Sequence, residues 1–293
     1  MILGIGEILW DLLPGGRRMG GAPANFAYHA SRFGLAAAVV SAVGYDEAGD
    51  EALRWLDRHG LGGGVTRVGF PTGTVDVTLD GAGVPSYRIR EEVAWDYIPF
   101  TPAAELIRGA ECVCFGTLAQ RSPVSRRTIG RLLDSLPSGA LAVFDVNLRG
   151  GFCDADVVKN SLGHCNVLKI NDQEIGTVAA LEGLRGDDGR ICRELADRYS
   201  LRAVILTRGG AGSDLYADGR FSHEEVRAGR VVDTVGAGDS FTAAFCAVLL
   251  QGGSYAEAHR LAADTASFVC SCEGATPDFG LFPPHLRFPA RGE

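Results

Sequence analysis

The stretch Val231-Val232-Asp233-Thr234-Val235-Gly236-Ala237-Gly238-Asp239-Ser240-Phe241-Thr242 decides how this chain is read. Beyond Asp239 the apolar residues Phe241, Ala244, Phe245, Val248 and Leu249 recur at the spacing of one helix face, and Gly252-Gly253 end the run. Asp239 therefore belongs to the first turn of a helix entered through a Gly-Ala-Gly turn. Unpaired N–H groups at a helix start, together with the positive end of the helix dipole, favour an anion. A carboxylate beside an anion site is repulsive unless it has a task. Taking the proton of a hydroxyl that attacks a phosphoryl group is such a task.

Working outward from that turn, the chain alternates strand and helix. Residues 1–9 read as a strand, 15–21 as a loop, 23–33 as a helix, 36–43 as a strand and 48–59 as a helix ended by Gly60. From residue 110 the alternation is regular: 111–116 then 124–136, 141–146 then 154–162, 166–170 then 172–181, and 188–199 then 203–207. A hairpin-like stretch (214–231), the helix opened by Asp239 and a helix over 255–271 complete it. Strands alternating with helices imply right-handed crossovers and a mostly parallel, Rossmann-like α/β sheet flanked by helices. Residues 65–98 differ: Val68, Thr72, Val75, Val77 and Leu79, then Gly81-Ala82-Gly83, then Tyr87 and Ile89 suggest short strands joined by a tight turn. The expectation is an α/β body (1–64 and 99–293) with a small β lid (65–98, with part of 10–20). The tail after Pro277, with Pro283-Pro284 and Pro289, reads as irregular.

Composition narrows the class. The 293 residues are 46% hydrophobic and 22% charged, with mean hydropathy +0.08, which suits one large globular domain with an appendage. The net charge of −8 and scattered basic residues argue against a nucleic-acid surface. The eight cysteines lie mostly in apolar runs without a Cys-x-x-Cys pair, which favours buried thiols over a metal or disulfide framework. Met1 to Pro14 carries Glu7 and Asp11 and no basic leader, and no apolar run reaches membrane-spanning length, so a cytoplasmic, soluble chain is expected.

In a parallel α/β sheet, ligands bind beyond the carboxyl ends of the strands. Polar residues gather at those ends here: Asp11 after the first strand, Asp145-Val146-Asn147-Leu148-Arg149, Lys169-Ile170-Asn171-Asp172-Gln173-Glu174, and Thr207-Arg208-Gly209-Gly210-Ala211-Gly212. Any one of them reads equally as a helix cap or turn former, Gly20-Gly21 as a plain loop before Pro23, and Asp239 as the cap of its own helix. Independent caps, however, need not place Arg149, Lys169 and a Gly-x-Gly turn on one edge.

Taken together, Gly20-Gly21-x-x-x-Asn25 and Asp233-Thr234-x-Gly236-Ala237-Gly238-Asp239 resemble the two signatures of the PfkB/ribokinase-like carbohydrate kinases. Asp145-x-Asn147-x-Arg149, Asn171-x-x-Glu174 and Thr207-x-Gly-Gly-x-Gly212 lie between them in that family's order, and the resemblance spans essentially the whole chain. It implies the ribokinase-like fold, with Asp239 as catalytic base and the amides of Gly236, Ala237 and Gly238 as an anion hole. Arg149 would steady phosphate oxygens, and Asp11, Gly20, Gly21 and Asn25 would hold sugar hydroxyls. Lys169, Asn171, Glu174, Thr207, Gly209 and Gly212 would serve the nucleotide, and Mg²⁺ would be held through the phosphates and Glu174, partly through water. The resemblance also implies ATP as donor, a lid that closes on sugar, a homodimer through that lid, and a K⁺-type monovalent cation near Asp233, Val235, Val269 and Gly274, with Asp278 placed to help.

Gly6-Glu7-Ile8-Leu9-Trp10-Asp11, Glu92-Val93-Ala94-Trp95-Asp96 and Phe115-Gly-Thr-Leu-Ala-Gln120 look most like bacterial fructokinases. That makes Trp95 and Gln120 candidate sugar contacts, and fructose to fructose 6-phosphate the expected reaction; Trp95 reads equally as packing lid to body. Kinases for 2-keto-3-deoxygluconate, ribose, inositol and nucleosides share these signatures. A non-catalytic sensor on the same fold would be expected to lose Asp239 or its glycines, and both are present. A Walker A motif is absent, and Gly4-Ile5-Gly6-Glu7-Ile8-Leu9 lacks the third glycine of a dinucleotide-binding turn.

Overall fold

Five strands of this chain are runs of four or five residues with almost every side chain buried, the mark of parallel strands covered on both faces. In the computed structural model, which describes residues 1–278 apart from 14, 80–84, 150, 151, 153 and 228, they form the centre of a large sheet. The turn expected at 81–83, Cys153 and the tail from 279, with its prolines, lie outside the described residues.

The chain begins with β1 (Ile2–Ile5), β2 (Leu9–Leu13), β3 (Gly16–Gly20), α1 (Ala22–Arg32), β4 (Ala37–Val43) and α2 (Glu47–Arg58). Then come β5 (Val65–Arg67), β6 (Gly73–Leu79), β7 (Pro85–Ile89), α3 (Phe100–Arg108), β8 (Cys112–Phe115) and α4 (Pro123–Asp134). The second half holds β9 (Leu141–Asp145), α5 (Ala155–His164), β10 (Val167–Asn171), α6 (Ile175–Glu182), α7 (Asp188–Tyr199) and β11 (Ala203–Thr207). The hairpin β12 (Ser213–Ala217) and β13 (Arg220–Glu224) precedes α8 (Ala237–Leu250) and α9 (Tyr255–Cys270).

The nine-stranded sheet runs β13-β12-β11-β10-β9-β8-β1-β4-β5, parallel except for the antiparallel β12 and β13. After β1 the chain crosses through α1 to β4 on one side, and after β8 through α4 to β9 on the other. β1 and β8 are neighbours, so the loops beyond their carboxyl ends part and leave a crevice. One face of the sheet is covered by α1, α8 and α9 through Phe26, Phe241, Phe245 and Ala262. The other packs Ile129, Leu162, Val178 and Leu195 from α4 to α7. α8 is buried on every side from Ser240 to Val248, a wider apolar surface than the one-face spacing implies, because α1, α9 and the sheet surround it.

The small sheet, β3-β2-β6-β7, is built differently from its sequence reading. Residues 1–9 are not one strand: Gly6, at φ 148, ends β1, and Leu9–Leu13 with Gly16–Gly20 form a hairpin where a loop was expected. Val65–Arg67 pairs with β4 of the large sheet, so within 65–98 the small sheet takes up the chain only at Gly73, while Val93, Ala94, Trp95 and Ile98 join the core of the body. The apolar alternation of 65–98 is real, but which sheet each segment joins depends on partners far away in sequence.

Candidate active site

The crevice between β1 and β8 narrows to a cavity of ≈ 20 Å³ lined by Glu7, Pro23, Thr117, Asp145, Asn147 and Asp239, among others. Each lining segment leaves the carboxyl end of a strand or opens a helix. Helices α2, α4, α5, α7 and α9 begin with a side-chain cap from Asp46, Ser122, Asp154, Asp187 and Ser254. α1 and α8, the two that face the crevice, begin at Gly21 and Gly236 with none.

Gly236 adopts φ 77, and a Cβ there would lie 2.6–2.7 Å from Ala275, so only glycine lets the turn pass. Asp239 stands in the first turn of α8, and Asn25 Nδ2 donates to its Oδ2 at 2.8 Å, joining the early and late glycine motifs directly. Burial, followed by the neighbouring Asp145, pushes the Asp239 carboxyl up to about 6, against the Asn25 hydrogen bond and the charges of Lys169 and Arg149. A carboxylate whose affinity for protons is raised this far is a stronger base than a solvated one.

Behind Asp239, Lys169 Nζ donates to both oxygens of Asp145, at 3.0 and 2.8 Å, and both side chains are buried. Burial works against the charge on Lys169, but the attraction and hydrogen bond of Asp145 outweigh it, and the ammonium pKa is raised. A Cβ on Gly238 would lie 3.2 Å from that ammonium group. Glu174 is also buried: its oxygens accept from Leu148 N at 2.8 Å and Asn171 N at 3.1 Å, while Asn171 Oδ1 accepts from Gln173 N and Glu174 N. Burial, then Asp145, raises the Glu174 carboxyl. These bonds, with Thr117 Oγ1 donating to Val146 O at 2.9 Å, pin the loop in which Asn147 takes φ 45. Strain at a non-glycine residue in that region persists where its surroundings hold it. Asp233 ties Val235 N and Gly274 N together at 3.1 Å each, closing the strand-to-helix turn onto residue 274.

A profile described as pfkB family carbohydrate kinase matches residues 15–279. The chain belongs to the pfkB family of carbohydrate kinases. It is 30% identical over 274 residues to a nucleoside kinase of Methanothermobacter thermautotrophicus, covering 89% of this chain and 82% of that protein. It is 27% identical over 264 residues to a fructokinase of Salmonella typhimurium, covering 85% and 84%. The crystal structure of a fructokinase from Xylella fastidiosa with bound ATP superposes with a TM-score of 0.83 at 21% identity, over 94% of this chain and 93% of that one, which establishes the shared ribokinase-like fold.

In this pfkB-family kinase Asp239, of the candidates named above, lines the cavity, and Asn25 is hydrogen-bonded to it. Asp11 lies on β2, half-buried, with Oδ2 2.8 Å from where a Cβ on Gly20 would stand. Its carboxyl is raised by burial, with Arg149 opposing. A Cβ on Gly21 would fall 2.4 Å from Glu7 O, so the α1 start also demands glycine. Arg149 is exposed above the site, and Thr207, Gly209 (φ 52) and Gly212 (φ 87) end β11 along the same edge.

Besides Lys169, whose ammonium group is taken by Asp145, two candidates point elsewhere. Trp95 is fully buried, its ring under the Arg121 guanidinium at 3.8 Å and its Nε1 only 2.4 Å from where a Cβ on Gly73 would stand. It packs the start of the small sheet to the body, the alternative reading, and offers no open ring face. Gln120 Nε2 is spent on Gly116 O at 2.8 Å and Ser161 Oγ at 2.9 Å, bridging β8 to α5. Conversely, Glu7 and Thr117 line the cavity with no role expected of them, and Asp145, expected as a polar residue at a strand end, lines it too. Glu7 inside the apolar run of residues 1–9 was the available signal, since a buried carboxylate is rare unless it has a role.

Proposed function

We propose that this kinase transfers the γ-phosphoryl group of ATP to a primary hydroxyl of a sugar, with fructose as the first acceptor to test. The observation that carries the reading is the Asn25–Asp239 hydrogen bond, which sets a basic carboxylate against the uncapped start of α8. The acceptor hydroxyl lies beside Asp239, which takes its proton as the hydroxyl oxygen bonds to the phosphorus. The bond from the γ-phosphorus to the bridging oxygen breaks, and ADP leaves with that oxygen. Gly238 at the helix start offers its amide to the equatorial oxygens, whereas the Ala237 amide, expected beside it, donates to Thr234 O at 3.4 Å, and Arg149 adds a positive charge at the rim. Asp11 on β2 and Gly20-Gly21 at the start of α1 suit sugar hydroxyls.

Bound Mg²⁺ supplies neutralisation of phosphate charge. Among the described residues no group of three His, Cys, Asp or Glu could hold a metal ion, and both Glu174 oxygens already accept amides. These residues fit an ion carried by the phosphates and reached from Glu174 and Asn171 through water. Asp233 and Gly274, two of the positions expected at a monovalent-cation site, are adjacent through their hydrogen bond, which fits that reading as well.

An ADP-release assay with ATP and Mg²⁺ over hexoses, pentoses, ketoacid sugars and nucleosides tests the proposal. Turnover with fructose above the rest supports it, and no turnover with any of them refutes the kinase reading. The identity to a nucleoside kinase favours nucleosides as the second acceptor class.

A further inference from the structure

Glu7 has no task in the transfer step just described, although it shares the cavity with Asp239 and Asp145. It follows β1 at the point where the sheet's connections part, is buried, and accepts the Ala22 amide of α1 at 3.3 Å. The charged and titratable groups facing it are Asp239 from α8 and Arg149 from the loop after β9, with Asp145, Lys169 and Cys114 across the cavity. Asp11 on β2 shares Arg149. Lys169 is already matched by both oxygens of Asp145. Arg149, exposed at the rim, is thus the one nearby cation left for Glu7 and Asp239 together among the described residues. Two carboxylates ionised side by side, next to an arriving triphosphate, repel each other and the phosphates.

We infer that Glu7 is a positioning residue for Asp239: its carboxyl keeps a proton in the working enzyme, so that Asp239 alone carries the charge that receives the acceptor's proton. This inference rests on the phosphoryl-transfer reading above. Burial pushes Glu7 up to about 7, the charge of Asp239 adding to the rise while backbone amides and Arg149 oppose it. Burial raises Asp239 as well, to about 6, and the charge of an ionised Asp239 helps to retain the proton on Glu7. A protonated carboxyl also presents one O–H donor, and the cavity of ≈ 20 Å³ that Glu7 and Asp239 both line has room for about one water to accept it. No proton is gained or lost by Glu7 in a turnover; its neutrality is a condition of the site.

The test is Glu7→Gln, which is neutral at every pH and keeps an oxygen for the Ala22 amide. In the wild type, kcat/KM for the acceptor should rise through about pH 6 and fall by about fivefold between pH 7 and 8, as a group titrating at about 7 loses its proton. In E7Q the fall above pH 7 disappears. A fall that persists in E7Q, or a uniform loss with the wild-type profile, overturns the inference and leaves Glu7 a structural cap. A second arm needs no turnover: carbon-13 NMR titration of the Glu7 carboxyl in the wild type and in D239N. A midpoint near neutrality that drops in D239N supports the inference, and an ordinary carboxylate midpoint overturns it. If no sugar is turned over, the kinase reading fails by itself while this arm still decides the protonation of Glu7.

Discussion

Replacing Lys169 by methionine keeps most of the side-chain volume and removes the ammonium group that two Asp145 oxygens accept, at 3.0 and 2.8 Å, in a buried setting. At 2.8 Å and an effective dielectric constant of 20 the attraction lost is about 6 kcal/mol. The protein has an escape, because Asp145 can take up a proton instead of staying charged. Counted against the unfolded chain, where an aspartate has a pKa of about 3.9, a neutral buried carboxyl costs about 1.4 kcal/mol per pH unit above that value, or about 4 kcal/mol at pH 7 and about 1.5 kcal/mol at pH 5. The smaller of the two penalties sets the result. K169M should therefore lose about 4 kcal/mol at pH 7, within the range for breaking a buried pair, and clearly less at pH 5. The double variant D145N/K169M, which leaves no buried charge, should recover most of the loss. Urea unfolding at both pH values, followed by tryptophan fluorescence with a calorimetric check for a single transition, measures this. A K169M protein within about 1 kcal/mol of wild type at pH 7, paired with a raised KM for ATP, would refute the reasoning and give the ammonium group to the nucleotide.

Asp239→Asn should lower kcat by at least the ~10²–10⁴ of a lost general base while ATP binding, measured by calorimetry, stays nearly intact; near-normal turnover sinks the assignment. Gly236→Ala should cost about 1–2 kcal/mol for its left-handed backbone, and displacing Ala275 should cut kcat by ~10²-fold or more with KM for ATP little changed. Trp95→Ala should cost about 3–5 kcal/mol of stability as a core cavity, and a raised KM for sugar without that loss would restore the stacking role. Stability against pH offers a check on the buried titrating groups. Glu7 is raised from 4.5 to about 7, so the folded state holds its proton more tightly, and the contribution present below pH 4.5 is lost as pH rises towards 7. His29 and His259 are lowered to about 4 by burial, so their contribution is lost as pH falls from 6.5 towards 4. Asp239, raised to about 6, acts with Glu7 against the histidines, and E7Q should remove the Glu7 part, adding about 1.4 kcal/mol of loss per unit of acidification between pH 6.5 and 5 in denaturant titrations; an unchanged slope would contradict the buried, protonated Glu7.

Local chemistry that is complete within a short window was legible in the chain itself. The helix after Asp239, the glycine turn before it and the strand-helix alternation each depend on residues a few positions apart, and the fold and family follow from them. Gly236 is legible as a turn residue because a turn constrains the backbone locally, whereas Gly21 reads equally as part of a plain loop and only the packing against Glu7 O shows why it must be glycine. Long-range partnership was not legible. Val65–Arg67 joins the large sheet and Gly16–Gly20 the small one by pairing with strands whose identity the segments do not encode. Lys169 and Gln120 looked like ligand-binding polar groups, and tertiary packing gave their donors to Asp145, Gly116 and Ser161. Burial decides the rest: the same carboxyl group is an ordinary acid in water and a proton holder near neutrality beside Asp239, and only the packed structure puts Glu7 where water cannot solvate its charge.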